Sequence, residues 1–441
     1  MKARSADLAS EHPINEERKK SLLNQYENPT STHYKIFGLS WAGWVFDFYD
    51  LILFTFLIIP IGLELHLSTL MLSYALSASI IAAAVGGVVF GVLSDKYGRK
   101  PVLQWTIIIY CIGTLLCAFS NSIETLIIFR IITGLGVGGE WATRQTYVNE
   151  TFPSRLRGKF GALLQTGNPV GFIMAAIVGG FLAPIIGWRE AFLVSVFPAV
   201  LVILIRRKIP ESDLWLKNKI NADKTVIKQS LINKRNEFIT LFFKPYRKIF
   251  LKALLLAILG SSAYWFTYSW LPTYLQSQNI SIAKSSIWII VNQIGGIIGL
   301  LSFGVVADRF GRRPAFSGFA MLMAVGLVMI SLFWNDIANY PPLIFVFMFI
   351  VGLGTGIYGG YGPLVSELFP TEIRNTAVGS GFNIARGTQF ITPILIALIA
   401  TSYGLGSGIF LGSIFALSVA IFIWTFPETK AIELETLEKN S

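Results

Sequence analysis

Six ionisable residues lie inside long apolar runs of this sequence: Asp47, Asp50, Arg130, Glu140, Arg144 and Arg386. A charge at bilayer depth costs at least ~2.5–3.5 kcal/mol on insertion scales, so such groups face a cavity or a partner and mark function. Three acids and three bases allow full internal pairing. Asp47 and Asp50 are three residues apart, so they share one helix face. A carboxylate pair of this kind can take up and release a proton. Glu140 precedes Arg144 by four residues, the favourable order for an intrahelical ion pair. That pair could neutralise itself or do work. Arg386 has no acid in the core of its own half of the chain. A guanidinium fork suits a carboxylate, so Arg386 is expected to anchor an anion. The alternative is a bond to backbone carbonyls or to the acids near position 50. Arg144 is a second candidate anchor.

These residues must be positioned by helices that cross a membrane. Of 441 residues, 53% are hydrophobic and 14% charged, against about 25% charged in soluble domains. The apolar runs are about 20 residues long, enough to cross ~30 Å of hydrocarbon at 1.5 Å per residue. They lack the alternation of barrel strands. Twelve spans are expected, near 36–62, 71–94, 101–119, 124–149, 159–183, 189–206, 249–276, 284–307, 314–334, 341–367, 376–401 and 405–426. Asp47 then sits about 16 Å into span 1, close to the midplane.

The net charge of +11 would suggest nucleic acid in a soluble protein, but here the cations lie in loops and set orientation. Loops after spans 2, 4, 8 and 10 carry Lys96, Arg99, Lys100, Arg155, Arg157, Lys159, Arg309, Arg312, Arg313 and Arg374. The opposite loops carry only Arg189 and Lys284. Both termini are therefore expected in the cytoplasm. The partners expected are the lipid bilayer, protons and a small anionic substrate, with no nucleic acid and a monomeric chain. Cys111 and Cys117 share one apolar run, and His12, His33 and His66 form no cluster, so no metal site is expected. Trp188 and Trp334 are expected in interfacial aromatic belts.

The chain repeats itself. Gly91-Val92-Leu93-Ser94-Asp95-Lys96-Tyr97-Gly98-Arg99-Lys100-Pro101 returns as Gly304-Val305-Val306-Ala307-Asp308-Arg309-Phe310-Gly311-Arg312-Arg313-Pro314, an offset of 304 − 91 = 213. Gly134-Leu135-Gly136-Val137-Gly138 returns as Gly352-Leu353-Gly354-Thr355-Gly356, and Glu150-Thr151-Phe152-Pro153 as Glu367-Leu368-Phe369-Pro370. Parallel six-helix repeats imply a pseudo-two-fold axis along the membrane normal and a site between the halves near mid-depth. The glycine strings lie inside apolar spans, where they serve close helix packing and not dinucleotide binding. Arg99 and Arg312, beside Asp95 and Asp308, are within reach of Glu150 and Glu367. Clusters of these residues are expected to hold the cytoplasmic side shut and to break on inward opening.

The expected organisation is a tail over 1–34, a six-helix bundle over 35–206, a linker with short surface helices over 207–248, a second bundle over 249–427 and a tail over 428–441. A polar cavity between the bundles would draw on Gln165, Asn168, Tyr264, Trp265, Tyr268, Asn292, Gln293, Tyr358, Tyr361, Asn383 and Gln389.

The twin loops, the Phe129-Arg130-Ile131-Ile132-Thr133-Gly134 segment, Pro210-Glu211-Ser212 and Pro427-Glu428-Thr429 resemble the signatures of the major facilitator superfamily. Gly138-Gly139-Glu140-Trp141, followed by Glu150, Pro153, Arg157 and Gly158, is similar to its organic-acid:proton symporters, the sialate, lactate, aromatic-acid and metabolite groups. The Ser-His core of yeast-type monocarboxylate permeases is absent from span 7, which reads Ser262-Ala263-Tyr264-Trp265-Phe266-Thr267-Tyr268. The resemblance implies an all-α membrane protein of two six-helix bundles and no enzyme. It implies proton coupling through Asp50 and Arg130, with Asp47 and Glu140 beside them. A permanent Asp50–Arg130 salt bridge is the alternative. Transport would draw on the proton gradient with no cofactor, carrying a small organic anion across the cell membrane. A sugar or polyol symporter and an efflux antiporter are the alternative functions.

Overall fold

A computed structural model describes Leu23, residues 28–153, 156–196, 209–213, 215–216 and 238–429. Among these, ten helices are long and apolar enough to cross a membrane. The first half contains α1 (Ser31–Glu64), α2 (Thr69–Tyr97), α3 (Arg99–Cys117) and α4 (Ile123–Thr151). Its α5 is assembled from Arg157–Gln165, Gly167–Ile177, a π-helical turn Val178–Leu182 and Ala183–Ile186. Its α6 is described over 188–196. The second half contains α7 (Arg247–Tyr268, then Leu271–Ser277), α8 (Ile282–Phe310) and α9 (Arg312–Leu332). It continues with α10 (Pro341–Gly354, then Ile357–Ser366), α11 (Thr371–Thr388, Gln389–Ile391, Thr392–Tyr403) and α12 (Leu405–Phe422). Helix α4 is as long as its neighbours but interrupted by Arg130, Glu140 and Arg144. Most of the expected 207–248 linker, and the tails beyond 28 and 429 apart from Leu23, lie outside the described residues.

The sequence repeat is a packing repeat. Helix α2 packs on α4 as α8 packs on α10, and α1 on α5 as α7 on α11. The glycine strings permit this. A Cβ on Gly138 would lie 1.8 Å from the Ala83 carbonyl oxygen, and one on Gly352 1.7 Å from that of Asn292. Gly98 and Gly311 turn the chain between α2 and α3 and between α8 and α9 at φ +112° and +104°. A side chain is strained in that region, so the motif needs glycine there.

Breaks in the spans gather at mid-depth. Proline lacks an N–H and so frees the carbonyl four residues earlier. Pro169 does this for Gln165, and Pro393 for Gln389, where α5 and α11 change path.

The halves meet unevenly. One apolar cluster contains Leu53, Phe56, Leu76 and Phe172 of the first half with Trp265, Tyr274, Trp288 and Ile396 of the second. These lie toward the face away from the charged loops. On the charged-loop side the clusters belong to one half each: Phe250, Phe303, Phe316 and Leu364 in the second, Val148, Phe152 and Phe160 in the first. Every residue of α7 from 262 to 268 is buried, as is its continuation to 275, whereas exposure alternates over 251–261. Where α5 crosses α8, a Cβ on Gly180 would lie 1.8 Å from Ser286 Oγ. Trp188 and Trp334 are buried and are not belt residues. The Trp188 indole N–H donates to Glu64, whose carboxylate also holds Arg189.

Candidate functional site

The first half gathers five of the six core charges. Asp50 pairs with Arg130 at 3.2 Å, receives a hydrogen bond from Thr114, and shares Arg130 with Ser79, whose hydroxyl accepts from Nε at 2.9 Å. Both side chains are almost wholly buried, and the Phe54 ring stacks by the guanidinium. Nearer the charged face, Arg144 serves two acids, Asp47 at 2.9 Å and Glu140 at 2.7 Å. Thr106 donates to the second oxygen of Glu140. The Trp44 ring lies 5.5 Å from the Arg144 guanidinium carbon.

A cavity lies between the halves. It is lined by Trp44, Phe48, Gln165 and Asn168 of the first half, and by Tyr264, Trp265, Gln293, Thr355, Tyr358, Phe382 and Arg386 of the second. Arg386 reaches it from α11 and senses the charges of Asp47 and Arg144 across the interface. No ion pair or hydrogen bond of its guanidinium to a described residue is formed. Tyr264 donates to Asn168 Oδ1 at 3.1 Å, joining the two halves across the cavity wall. Tyr358 is hydrogen-bonded to the Gly260 carbonyl.

Of the residues expected in this cavity, Gln165, Asn168, Tyr264, Trp265, Gln293, Tyr358 and Arg386 line it. The others are held elsewhere. Tyr268 donates to Asn292, whose amide donates to the Met348 carbonyl, so both are interhelical ties. Tyr361 is packed in the second half's own cluster and donates to the Ala253 carbonyl. Gln389 is buried among Ser262, Ala385, Thr388 and Thr392. Asn383 is exposed outside the lining. Arg144 is occupied by two acids behind Trp44 and is no free anchor. Trp44, Phe48 and Phe382 were missed, because in an apolar span an aromatic facing a cavity looks like one facing lipid.

At the charged face both expected clusters form. Arg99 makes two bonds to Glu150, at 2.7 and 3.2 Å, and one to Asp95 at 2.6 Å. Arg312 repeats this with Glu367, at 2.8 and 3.3 Å, and with Asp308 at 2.7 Å. Each cluster lies within one half. Among the described residues they brace the α2–α4 and α8–α10 ends of their own bundles. Two further acids were missed as members. Glu211 accepts from the backbone N–H groups of Arg99 and Lys100, and Ser212 donates to Glu150. Glu428 accepts from Arg312 and Arg313, and Thr429 donates to Glu367. These are the Pro-Glu-Ser and Pro-Glu-Thr segments, whose carboxylates cap the starts of α3 and α9.

The family described as "Sugar (and other) transporter" matches residues 14–440. The chain belongs to this transporter family. The sialic acid transporter NanX of Escherichia coli strain K12 is 30% identical over 377 residues, 84% of this chain and 88% of that one. The niacin transporter NiaP of Acinetobacter baylyi is 27% identical over 384 residues, covering 82% and 86% of the two chains. The xylose transporter XylE from E. coli, solved in an inward open conformation, superposes with a TM-score of 0.74 at 19% identity, covering 92% and 99%. That likeness concerns the fold: two six-helix bundles, the major facilitator architecture. As a member of a transporter family, the chain is a multi-pass membrane protein and not an enzyme. Its relatives carry small organic molecules: NanX is a sialic acid transporter and NiaP a niacin transporter.

Proposed function

We propose that this transporter couples import of a small organic anion to proton entry, by alternating access of the central cavity. The observation that carries the reading is Arg386: a cavity-lining guanidinium with no ion pair or hydrogen bond among the described residues. A partly buried cation in a membrane-depth cavity without a counter-ion is costly, and a substrate carboxylate would supply one in bidentate form. The surrounding Trp44, Phe48, Tyr264, Trp265, Tyr358 and Phe382 offer flat apolar contact to the rest of the molecule, and Gln165, Asn168 and Gln293 offer amides. Buried acids one side chain away provide places for a proton. A neutral sugar would have no use for Arg386. The bundles over 35–206 and 249–427 move as two bodies in this reading, in a monomer with both termini in the cytoplasm of a cell-membrane protein. In this reading the apolar cluster shared by both halves closes the outer side, which supports an inward-facing conformation.

The test is uptake by purified protein in proteoliposomes, with labelled sialic acid, nicotinate and xylose as probes and an inward proton gradient. At least one of the acids should accumulate and xylose should not. Arg386→Gln should cut acid uptake by at least a hundredfold with little change in melting temperature. Xylose accumulation that survives Arg386→Gln would replace this reading with a sugar symporter. Acid efflux driven by an inward proton gradient would make it an antiporter.

A further inference from the structure

The central cavity is walled by rings. Trp44 and Phe48 come from the first half, and Tyr264, Trp265, Tyr358 and Phe382 from the second. The rings fix one another edge to face. Trp44 meets Phe48 with centroids 4.9 Å apart, and Tyr264 meets Trp265 at 5.8 Å and Tyr358 at 5.4 Å, the planes inclined by 73° to 81°. Most polar tips in the wall are already in use. The Tyr264 hydroxyl donates to Asn168 Oδ1 and the Tyr358 hydroxyl to the Gly260 carbonyl. Thr355 donates to the Gly352 carbonyl, and the Gln293 amide to Asn292. The side chains of Gln165, Ser261 and Arg386 and the amide nitrogen of Asn168 make no hydrogen bond to a described residue. A ligand therefore meets one cation, a few neutral polar groups and many ring surfaces.

The cavity volume is about 90 Å³. One water takes ~10–15 Å³ on this scale, so roughly six to nine non-hydrogen atoms fit. A benzene ring bearing one carboxylate has that size, and a sialic acid is far larger. Size alone would also admit a short aliphatic acid, but the wall favours a ring. Aromatic pairs gain beyond their buried area, because the negative face of one ring meets the positive edge of another. A polyhydroxylated acid fares worst. Each buried hydroxyl without a partner keeps its desolvation cost, and most groups that could meet it are bonded to the protein. Phe382 precedes Arg386 by four residues on α11, so the two share a helix face. One helix thus offers a guanidinium and, a turn away, a ring. That pairing matches a carboxylate and the ring that bears it. We propose that the anion taken by this cavity is an aromatic monocarboxylate, held by its carboxylate at Arg386 and by its ring among Trp44, Phe48, Tyr264, Tyr358 and Phe382. Gln165 and the Asn168 amide nitrogen can serve one polar ring atom, such as a pyridine nitrogen. This rests on the anion-transport reading above and narrows it to one substrate class.

The experiment uses the full chain in proteoliposomes with labelled benzoate, and with nicotinate, cyclohexanecarboxylate and sialic acid as competitors. Benzoate should accumulate, and nicotinate should compete at a similar concentration. Cyclohexanecarboxylate keeps the carboxylate and the size but has no flat π face. About tenfold more of it should be needed for half inhibition, the effect of roughly two ring contacts. Sialic acid in large excess should not compete. Equal inhibition by benzoate and cyclohexanecarboxylate overturns the proposal, and so does inhibition by sialic acid at the level of benzoate. Phe382→Leu keeps apolar bulk and removes the ring. It should cut the preference for benzoate over cyclohexanecarboxylate to about threefold or less, a ratio that a lower yield of folded protein does not change. An unchanged ratio overturns ring recognition on the Arg386 face of α11. Should Phe382→Leu fail to fold, the wild-type competition series decides. Labelled sialic acid accumulated through Arg386, with benzoate refused, overturns the aromatic class and leaves the anion reading standing. A wild-type protein that accumulates none of these acids refutes the anion reading itself, a failure visible before any variant is made.

Discussion

The two halves share a surface and differ in their cores. At the charged face each half has an arginine bonded to one aspartate and one glutamate, a second glutamate capping the next helix, and a hydroxyl donor completing the set. At mid-depth the likeness ends. The first half carries Asp47, Asp50, Glu140, Arg130 and Arg144, while the second contributes Arg386 and most of the aromatic wall. A duplicated frame has kept the parts that hold each bundle together and divided the rest. Five of the six core charges went to one half, and Arg386 with most of the aromatic wall to the other.

Experiments can sharpen that contrast, beginning with the greatest effect. Arg130→Gln leaves Asp50 buried without its cation and should cost about 3–5 kcal/mol, read as loss of folded protein or a large fall in melting temperature. Asp50→Asn/Arg130→Gln should recover much of it. At Arg386 no such rescue is expected, since it forms no ion pair among the described residues. Next come Gly138→Ala and Gly352→Ala. Each drives a methyl into a carbonyl less than 2 Å away and should destabilise by about 1–3 kcal/mol or more, equally in both halves. Unequal losses would show that the packing repeat is not an energetic one. Arg99→Gln and Arg312→Gln follow. The Arg99 side chain is 7% exposed and that of Arg312 16%, with Asp308 72% exposed against 33% for Asp95. Arg99→Gln should therefore cause the larger drop in melting temperature. Exposed pairs are worth about 0–1 kcal/mol, so the second-half loss should sit in that range and shrink with salt. Smallest is Thr106→Val, which removes one hydrogen bond from Glu140 and should cost about 1 kcal/mol.

The sequence displayed the fold far better than the cavity. Length of apolar run and internal repetition report directly on spans and pairing of bundles, and both are properties of consecutive residues. Ionisable groups inside spans were legible for the same reason: Asp47, Asp50, Arg130, Glu140, Arg144 and Arg386 stand out against their neighbours. What could not be read was which way a polar or aromatic side chain turns. Tyr268, Asn292 and Gln389 look like ligand contacts on composition, yet they spend their polar atoms on neighbouring helices. Trp44 and Phe382 look like lipid contacts, yet line the cavity. The sharing of Arg144 by two acids joins α1 to α4 across 97 positions. Spacing within α4 suggested only half of it.

The acids after the sixth and twelfth spans, Glu211 and Glu428, carry a consequence for how the polypeptide can be divided. Each fastens the end of a half to the start of that half's own third helix, α3 or α9, so among the described residues neither bundle borrows the other's strap. A gene cut within codons 217–237 and expressed as two pieces should still yield two finished bundles that find each other in the bilayer, whereas a cut placed before residue 211 would leave the first piece unfastened.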